Sequence, residues 1–398
     1  MSVVDKQSMT NINPIRTVEL PTGFIEVKVE STSFPLDDLI GFAARANSKR
    51  GFLFLSKVLG KHWPVTPKFM QNIHANLVFQ IPEDLPAPIV FIAMAETGIG
   101  LGQGVFEFFK AANPDIEVMF LHTTRYHVSD LPIIEFEEAH SHAPRQFLHL
   151  PKDSELQETL LLARSLVLID DEASTGNTFL NLTTACRALN SSIEHVHLAT
   201  ITNFMGSANN DNLSERFGLN VTTGSSLSGE YKFTASNFHV DSDAAQVFEE
   251  NVDRGASLMF GRVGVGDALN NQTDLAQRLV NSIGVGERTL VLGTGEFMHI
   301  PFLLGLALEN HGVDVVVQST TRSPILHWGA VTSALSFDDN YGEGVANFLY
   351  NVELGEYKHI FICHETPPNQ TLYHLANLLG GRLLHFISEN QVEEISIY

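Results

Sequence analysis

Apolar runs that end in polar or glycine-rich tips recur along this chain, and each leads into residues spaced for a helix. Leu166-Val167-Leu168-Ile169 is the sharpest of them and reads as a buried parallel strand. Two acids, Asp170 and Asp171, stand at its C-terminal end, followed by the small-residue turn Ala173-Ser174-Thr175-Gly176. From Asn177 onward, Phe179, Leu182, Ala185, Cys186 and Leu189 fall on one helical face. Upstream, residues 88–95 form a second buried strand pattern, which ends in Glu96-Thr97-Gly98-Ile99-Gly100 before a helix carrying Val105, Phe106 and Phe109. Residues 116–121 predict a third strand, running into His122-Thr123-Thr124-Arg125, and residues 195–204 a fourth. Alternation of strands with helices predicts an α/β fold with a parallel sheet.

The pattern then starts again. Residues 288–292 predict a strand that meets Gly293-Thr294-Gly295-Glu296, and the helix that follows carries Leu303, Leu304, Ala307 and Leu308. Residues 313–318 form a strand ending in Ser319-Thr320-Thr321-Arg322-Ser323-Pro324, and residues 359–363 one ending in His364-Glu365-Thr366. Thr-Thr-Arg thus closes a strand in each half, and Cys363-His364-Glu365 stands where the first half has Asp170-Asp171-Glu172. Recurrence in a fixed order is the signature of an internal repeat, so the second half reads as a diverged copy of the first that lacks the acid pair, or as convergent α/β architecture. We therefore expect three regions: an N-terminal extension or flap over 1–85, a first α/β domain over 86–255 and a second over 256–398.

With 398 residues the chain is too long for one ordinary core. The formal net charge of −22 argues against nucleic acid as a partner. A hydrophobic fraction of 44% and a mean hydropathy of +0.04, with no apolar run long enough to span a bilayer, predict a protein that does not cross membranes. The polar residues 1–13 lack the order of a signal peptide. Two cysteines in apolar surroundings, Cys186 and Cys363, fit a reducing compartment, so a cytoplasmic location is expected. Against the acidic background, Arg45, Lys49, Arg50, Lys57 and Lys61 cluster, either as a solvated helix face or as a basic flap over an anionic ligand.

The strand, two acids, small-residue loop and helix start together favour a phosphate on the loop amides and helix N-terminus, and ribose hydroxyls or a metal on the acids. This stretch resembles the 5-phosphoribosyl-1-pyrophosphate (PRPP) loop of type I phosphoribosyltransferases, with Asp170, Asp171, Ser174, Thr175, Gly176 and Thr178 on the pattern. Glu172 departs from it, since an apolar residue is usual there. Ser174 stands where some purine-using relatives place a basic Asp. Together with Thr321-Arg322-Ser323-Pro324, the loop looks like the phosphoribosyltransferases with a C-terminal TRSP domain that accompany bacterial tellurium-resistance and stress genes.

The resemblance implies an orotate-phosphoribosyltransferase-like, Rossmann-like parallel sheet and a pentosyltransferase. It would use Mg2+ and PRPP to ribosylate a small acceptor in a biosynthetic pathway, releasing pyrophosphate. A non-catalytic PRPP or nucleotide sensor is the rival. Asp170 and Asp171 would hold ribose hydroxyls and Mg2+; Ser174, Thr175, Gly176, Asn177 and Thr178 the 5-phosphate; Glu96, Thr97, Gly98 and Arg125 the pyrophosphate. Arg125 could equally pair with a local acid. Thr321 and Arg322 would belong to a ligand site in the second domain. His140, His142 and Arg145 lie where a catalytic loop sits in such enzymes. A metal site with Glu137 and Glu138, or an exposed polar loop, are the other readings of that segment. A homodimer is a further expectation.

Overall fold

The computed structural model describes residues 15–45, 50–126, 128, 131–137, 145–236, 256–342 and 344–396. Among the described residues, no helix is long and apolar enough to cross a membrane. The first half runs β1 (Ile15–Leu20), β2 (Gly23–Thr32), α1 (Leu36–Leu39), β3 (Ile40–Ala44), β4 (Phe52–Ser56), α2 (Pro67–Val78) and β5 (Ile89–Ala93). It continues with α3 (Ile99–Ala112), β6 (Val118–His122), β7 (Ile133–Glu137), β8 (Arg145–His149), α4 (Ser154–Leu162) and β9 (Ser165–Ala173). It closes with α5 (Asn177–Leu189), β10 (His195–Asn203), α6 (Ser207–Asp211), α7 (Leu213–Phe217) and β11 (Asn220–Ala235). The second half runs α8 (Thr273–Val280), β12 (Thr289–Gly293), α9 (His299–Asn310), β13 (Val315–Ser319) and β14 (Ala334–Asp338). Then follow β15 (Ala346–Tyr350), β16 (His359–His364), α10 (Gln370–Leu379), β17 (Arg382–Ser388) and β18 (Gln391–Ile395).

The large sheet has the order β1-β2-β11-β10-β9-β5-β6. β5, β6, β9 and β10 are parallel. Every residue of β5 and β6 is buried, as expected of strands covered on both faces. The expected extension over 1–85 is not separate from this sheet. Gly23–Thr32 alternates buried and exposed positions and pairs antiparallel with β11, some two hundred residues later in the chain. β11 makes this possible by pairing parallel with β10 first and antiparallel with β2 afterwards, with a bulge between Ser228 and Gly229. Residues 229–233 therefore lie within the sheet, between β2 and β10. Among its described residues the basic cluster is not a helix either; Lys49 lies outside the described residues. Phe52–Ser56 is a fully buried strand, paired with β3, because its apolar run has no helical period to leave one face polar.

The smaller sheet has the order β13-β12-β16-β17-β18. Its first four strands match β6-β5-β9-β10 position for position, so the strand order that a duplication requires is present there; the fifth differs, because β18 runs antiparallel to β17 whereas β11 pairs parallel with β10. Each half also inserts an antiparallel hairpin at the same point, β7–β8 and β14–β15. The register corrects one detail. Ala93 pairs with Ile169, and Gly293 with Cys363. Hence His364 and Glu365, not Cys363 and His364, stand at the places of Asp170 and Asp171. Cys363 is core, and both cysteines are buried and unbridged.

Several histidines lie inside this packing. Burial pushes the imidazoles of His62 and His74 down to about 3 and those of His122, His197 and His364 down to about 4, against 6.5 in an open chain. Between those values the unfolded chain binds protons that the folded chain refuses, so stability is fully present above about pH 6.5 and declines as pH falls. Each unit below that point removes about 1.4 kcal/mol per such histidine. Thermal unfolding followed from pH 8 to 5 should show a flat plateau, then a steady fall in Tm below pH 6.5. A Tm independent of pH across 5 to 6.5 would contradict this burial.

Candidate functional site

β5 and β9 are hydrogen-bonded neighbours, but the chain leaves β5 toward β6 on one side and reaches β9 on the other. Such a point in an open parallel sheet opens a crevice at the C-terminal strand ends. Two loops meet there, one from β5 to α3 and one from β9 to α5. They touch backbone to backbone. A Cβ on Gly98 would stand 2.9 Å from Met94 O, 3.1 Å from Ile169 O and 3.2 Å from Asp170 Cα. Only glycine permits that approach. Thr97 Oγ1 donates to Asp171 Oδ1 at 2.9 Å, and Asp170 Oδ1 accepts from the Asp171 N–H at 2.9 Å. The two acids are thereby fixed at the mouth of the crevice.

Beyond them the loop turns through Gly176, whose φ of +73° is the left-handed region. Gly176 is also the cap residue of α5, so it brings no side-chain acceptor to the first N–H groups of that helix. Those donors and the positive end of the helix face the loop. Arg216 braces the loop from outside, donating from Nη1 to Thr175 O at 3.0 Å and from Nη2 to Asn177 Oδ1 at 2.8 Å. On the other flank burial pushes the Tyr231 phenol up, and Arg50 and the Ser174 side chain offset part of that rise. Glu172, the residue out of pattern, takes two hydrogen bonds from Arg50 Nη2 at 2.7 and 2.9 Å. Burial pushes the Glu172 carboxyl up, Arg50 pulls it back and Asp171 adds to the rise, leaving it above the ordinary range.

Glu96 is the charge centre of the other loop. Lys61, whose side chain is wholly buried, forms an ion pair with it and donates to Gly295 O of the second half at 2.7 Å. Arg322 reaches it from the second half, Nε to Oε2 at 3.8 Å, with its guanidinium 5.1 Å over the Tyr126 ring. Burial alone would raise the Glu96 carboxyl, but Lys61, Arg322 and the more distant Arg125 outweigh it and hold it below the ordinary carboxylate value. Burial lowers the Lys61 ammonium despite Glu96 beside it.

The fold therefore brings Glu96, Thr97, Gly98, Asp170, Asp171 and the 174–178 loop to one crevice. The Arg125 charge acts on Glu96, while its backbone N–H donates to Glu296 Oε1 at 2.9 Å. Arg322 stands at the crevice edge. Thr321 is engaged locally: its backbone pairs with Phe348, and its hydroxyl accepts from the Ser323 N–H at 3.2 Å. His140 and His142 lie outside the described residues, and Arg145 opens β8. The hairpin that carries the 138–144 segment is anchored beside the site. Phe147 pairs with Thr124, at 2.8 and 3.0 Å, and Asn181 Nδ2 of α5 donates to Glu137 O at 2.8 Å. Sequence reasoning missed the roles of Lys61, the Arg50–Glu172 pair, Arg216, Tyr231 and Glu296. Lys61 and Arg50 left a signal, as members of a basic cluster in an acidic chain. The others meet the site only through long-range packing.

Residues 39–230 match the family described as phosphoribosyl transferase, and residues 261–379 match the TRSP domain found C-terminal to it. Among solved structures, the chain is similar to an adenine phosphoribosyltransferase from Trypanosoma brucei, at 17% identity over 53% of this chain and 86% of that one, TM-score 0.33. It is similar to the Leishmania tarentolae enzyme of the same name, at 18% identity over 48% and 85%, TM-score 0.33. It is also similar to an orotate phosphoribosyltransferase from Francisella tularensis, at 14% identity over 48% and 82%, TM-score 0.29. No curated protein matches it.

The Lys61–Glu96 pair predicts a measurable coupling. Lys61→Met leaves a buried carboxylate short of its nearest cation and should cost about 3 kcal/mol of stability. Adding Glu96→Gln in the same chain should recover part of that loss, because the stranded charge is gone. Denaturant unfolding of the single and double variants tests this; purely additive effects would mean that the two side chains do not act as a pair.

Proposed function

The chain belongs to the phosphoribosyltransferases that carry a C-terminal TRSP domain, and on that premise we propose that it uses Mg2+ and PRPP to transfer a phosphoribosyl group to a small acceptor. The observation that carries this reading is the meeting of two loops at one crevice: the acid pair with its left-handed glycine and helix start, and the Glu96-Thr97-Gly98 turn. The loop 174–178 offers backbone N–H groups to the 5-phosphate. Asp170 and Asp171 accept from the ribose hydroxyls. Arg125 and the 96–98 turn attend the diphosphate, with His140, His142 and Arg145 assigned to the same end.

Among the described residues, no group of three or more His, Cys, Asp or Glu is placed to hold a metal. Two adjacent carboxylates suit Mg2+, which keeps water and substrate oxygens as most of its ligands. Asp170 and Asp171 would hold it, and its charge would offset that of the departing diphosphate. In the transfer, the bond from ribose C1 to the diphosphate oxygen breaks, and the acceptor's lone pair forms the new bond to C1. The acids face the positive charge that develops on the ring, and the cations near Glu96 receive the negative charge that leaves. Ser174 provides no carboxylate base, so the acceptor's proton goes to the 140–145 segment or to solvent. The acceptor is a nitrogenous or other small nucleophile, and the setting is biosynthesis within a stress and tellurium-resistance system.

A screen of candidate acceptors with Mg2+ and PRPP, read by pyrophosphate release, tests this. The parent should release pyrophosphate with one class of acceptor. The double variant Asp170→Asn, Asp171→Asn should bind PRPP about a hundredfold more weakly, the loss of two contacts to charged groups. Unchanged PRPP binding in that variant would overturn the site; tight binding with no turnover for any acceptor would turn the reading to a PRPP sensor.

A further inference from the structure

The two halves share more than a strand order: they dock on one another through the same features used twice. Ahead of α2, Gly60 O accepts from the Ser319 N–H at 2.7 Å, and Val65 pairs with Val317 of the other half, at 3.1 and 2.8 Å. Ahead of α8, Gly261 O accepts from the His122 N–H at 3.3 Å, and Val265 pairs with Phe120, at 2.8 and 2.9 Å. Both glycines have positive φ, +62° and +91°. A buried cation follows each, Lys61 and Arg262. Each cation meets the glutamate of its own half's first loop: Lys61 meets Glu96, and Arg262 Nη2 meets Glu296 at 3.1 Å.

The loops themselves are built alike. Ala93 O accepts from the Thr123 N–H at 2.9 Å, and Gly293 O from the Thr320 N–H at 3.1 Å. Thr123 Oγ1 accepts from the Ala95 N–H at 2.8 Å, and Thr320 Oγ1 from the Gly295 N–H at 2.9 Å. Each glutamate is also met from across the junction. Arg322 reaches Glu96, while Thr124 Oγ1 and the Arg125 N–H reach Glu296, at 2.6 and 2.9 Å. An approximate two-fold axis therefore runs between the two facing sheet ends.

The symmetry breaks at the third strand. Glu365, the counterpart of Asp171, accepts from Arg262 Nη1 and Nη2 at 3.0 Å each, from the Tyr341 hydroxyl at 2.9 Å and from the Ser257 N–H at 3.0 Å. Asn340 Nδ2 donates to Thr366 Oγ1 at 2.8 Å, and the Asn369 side chain caps α10. The chain's own groups thus fill the places that face the crevice in the first half. There, Asp171 meets a neutral hydroxyl, and α5 starts from a glycine.

We propose that the second half is a built-in partner: a sealed counterpart that takes no donor of its own and presents Arg322 to the diphosphate end of the first half's crevice. One chain then carries one complete donor site. This rests on the PRPP reading above. In the bound state Arg322 turns from Glu96, 3.8 Å away, to the diphosphate oxygens, where its planar fork fits two of them.

Calorimetric titration of the full-length protein tests it, with Mg2+-PRPP, pyrophosphate and ribose 5-phosphate as probes. We expect one PRPP per chain. Arg322→Gln should weaken PRPP and pyrophosphate about tenfold to a hundredfold, with ribose 5-phosphate, which has no diphosphate, bound as by the parent. Arg322→Lys should recover part of the loss and serves if the Gln variant does not fold. Two PRPP bound per chain would overturn the proposal. So would an Arg322→Gln variant that binds all three probes as the parent does, or one that loses all three equally, which marks a merely structural role. If Arg322→Gln is silent while the Asp170, Asp171 double variant loses PRPP, the donor site stands and the built-in partner falls. A parent that binds no PRPP overturns both.

Discussion

Glu96 is a carboxylate taken out of water at the junction of the two halves, and the structure depends on its being paired there. An ion of that size cannot stay charged in an interior without partners. Its partners come from two distant parts of the sequence, Lys61 ahead of α2 and Arg322 just beyond β13. Lys61 in turn reaches Gly295 O. Satisfying one charge thus fixes three segments at once and holds the end of one sheet against the end of the other. Glu296 repeats the arrangement with Arg262, Thr124 and Arg125. Burial drives the Arg262 guanidinium down, but Glu365 and Glu296 outweigh it and hold its proton more firmly than in water.

The two sheet ends use similar parts to opposite effect. At one, an aspartate meets a threonine hydroxyl, and a glycine opens the helix start. At the other, a glutamate one methylene longer takes a guanidinium, a phenol and a backbone N–H, and an asparagine closes the helix start. The chemistry of the fold is the same; what differs is whether the chain fills its own crevice. Tyr126 and Tyr341, both buried, stack at 4.4 Å between the two.

Much of the first crevice was legible in the residues themselves. Asp170 to Thr178 and Glu96 to Gly98 were legible as strand-end segments because a parallel strand's apolar run and a helix's 3.6-residue period flank them and both signals are local, although β9 itself runs on through the two acids to Ala173. The recurrence of Thr-Thr-Arg pointed to two similar halves for the same reason. The exceptions were segments whose partners lie far away. Gly23–Thr32 alternates clearly, yet nothing local says that it pairs with β11. The basic residues from Arg45 to Lys61 look alike in sequence and part ways in space. Arg45 donates to Ser323, Arg50 pairs with Glu172, Lys57 lies over Trp63 and Lys61 is buried against Glu96.

The sequence by itself determined the α/β class, the positions of the strand ends and the acids, glycines and small residues that stand there, because periodicity and turn chemistry act over a few residues. Only the tertiary structure decided which glutamates are buried, which cation serves each, and that one half's crevice stays open while its counterpart is sealed. Those outcomes turn on which side chains meet across the junction, and burial gives such meetings an energy that no stretch of sequence carries alone.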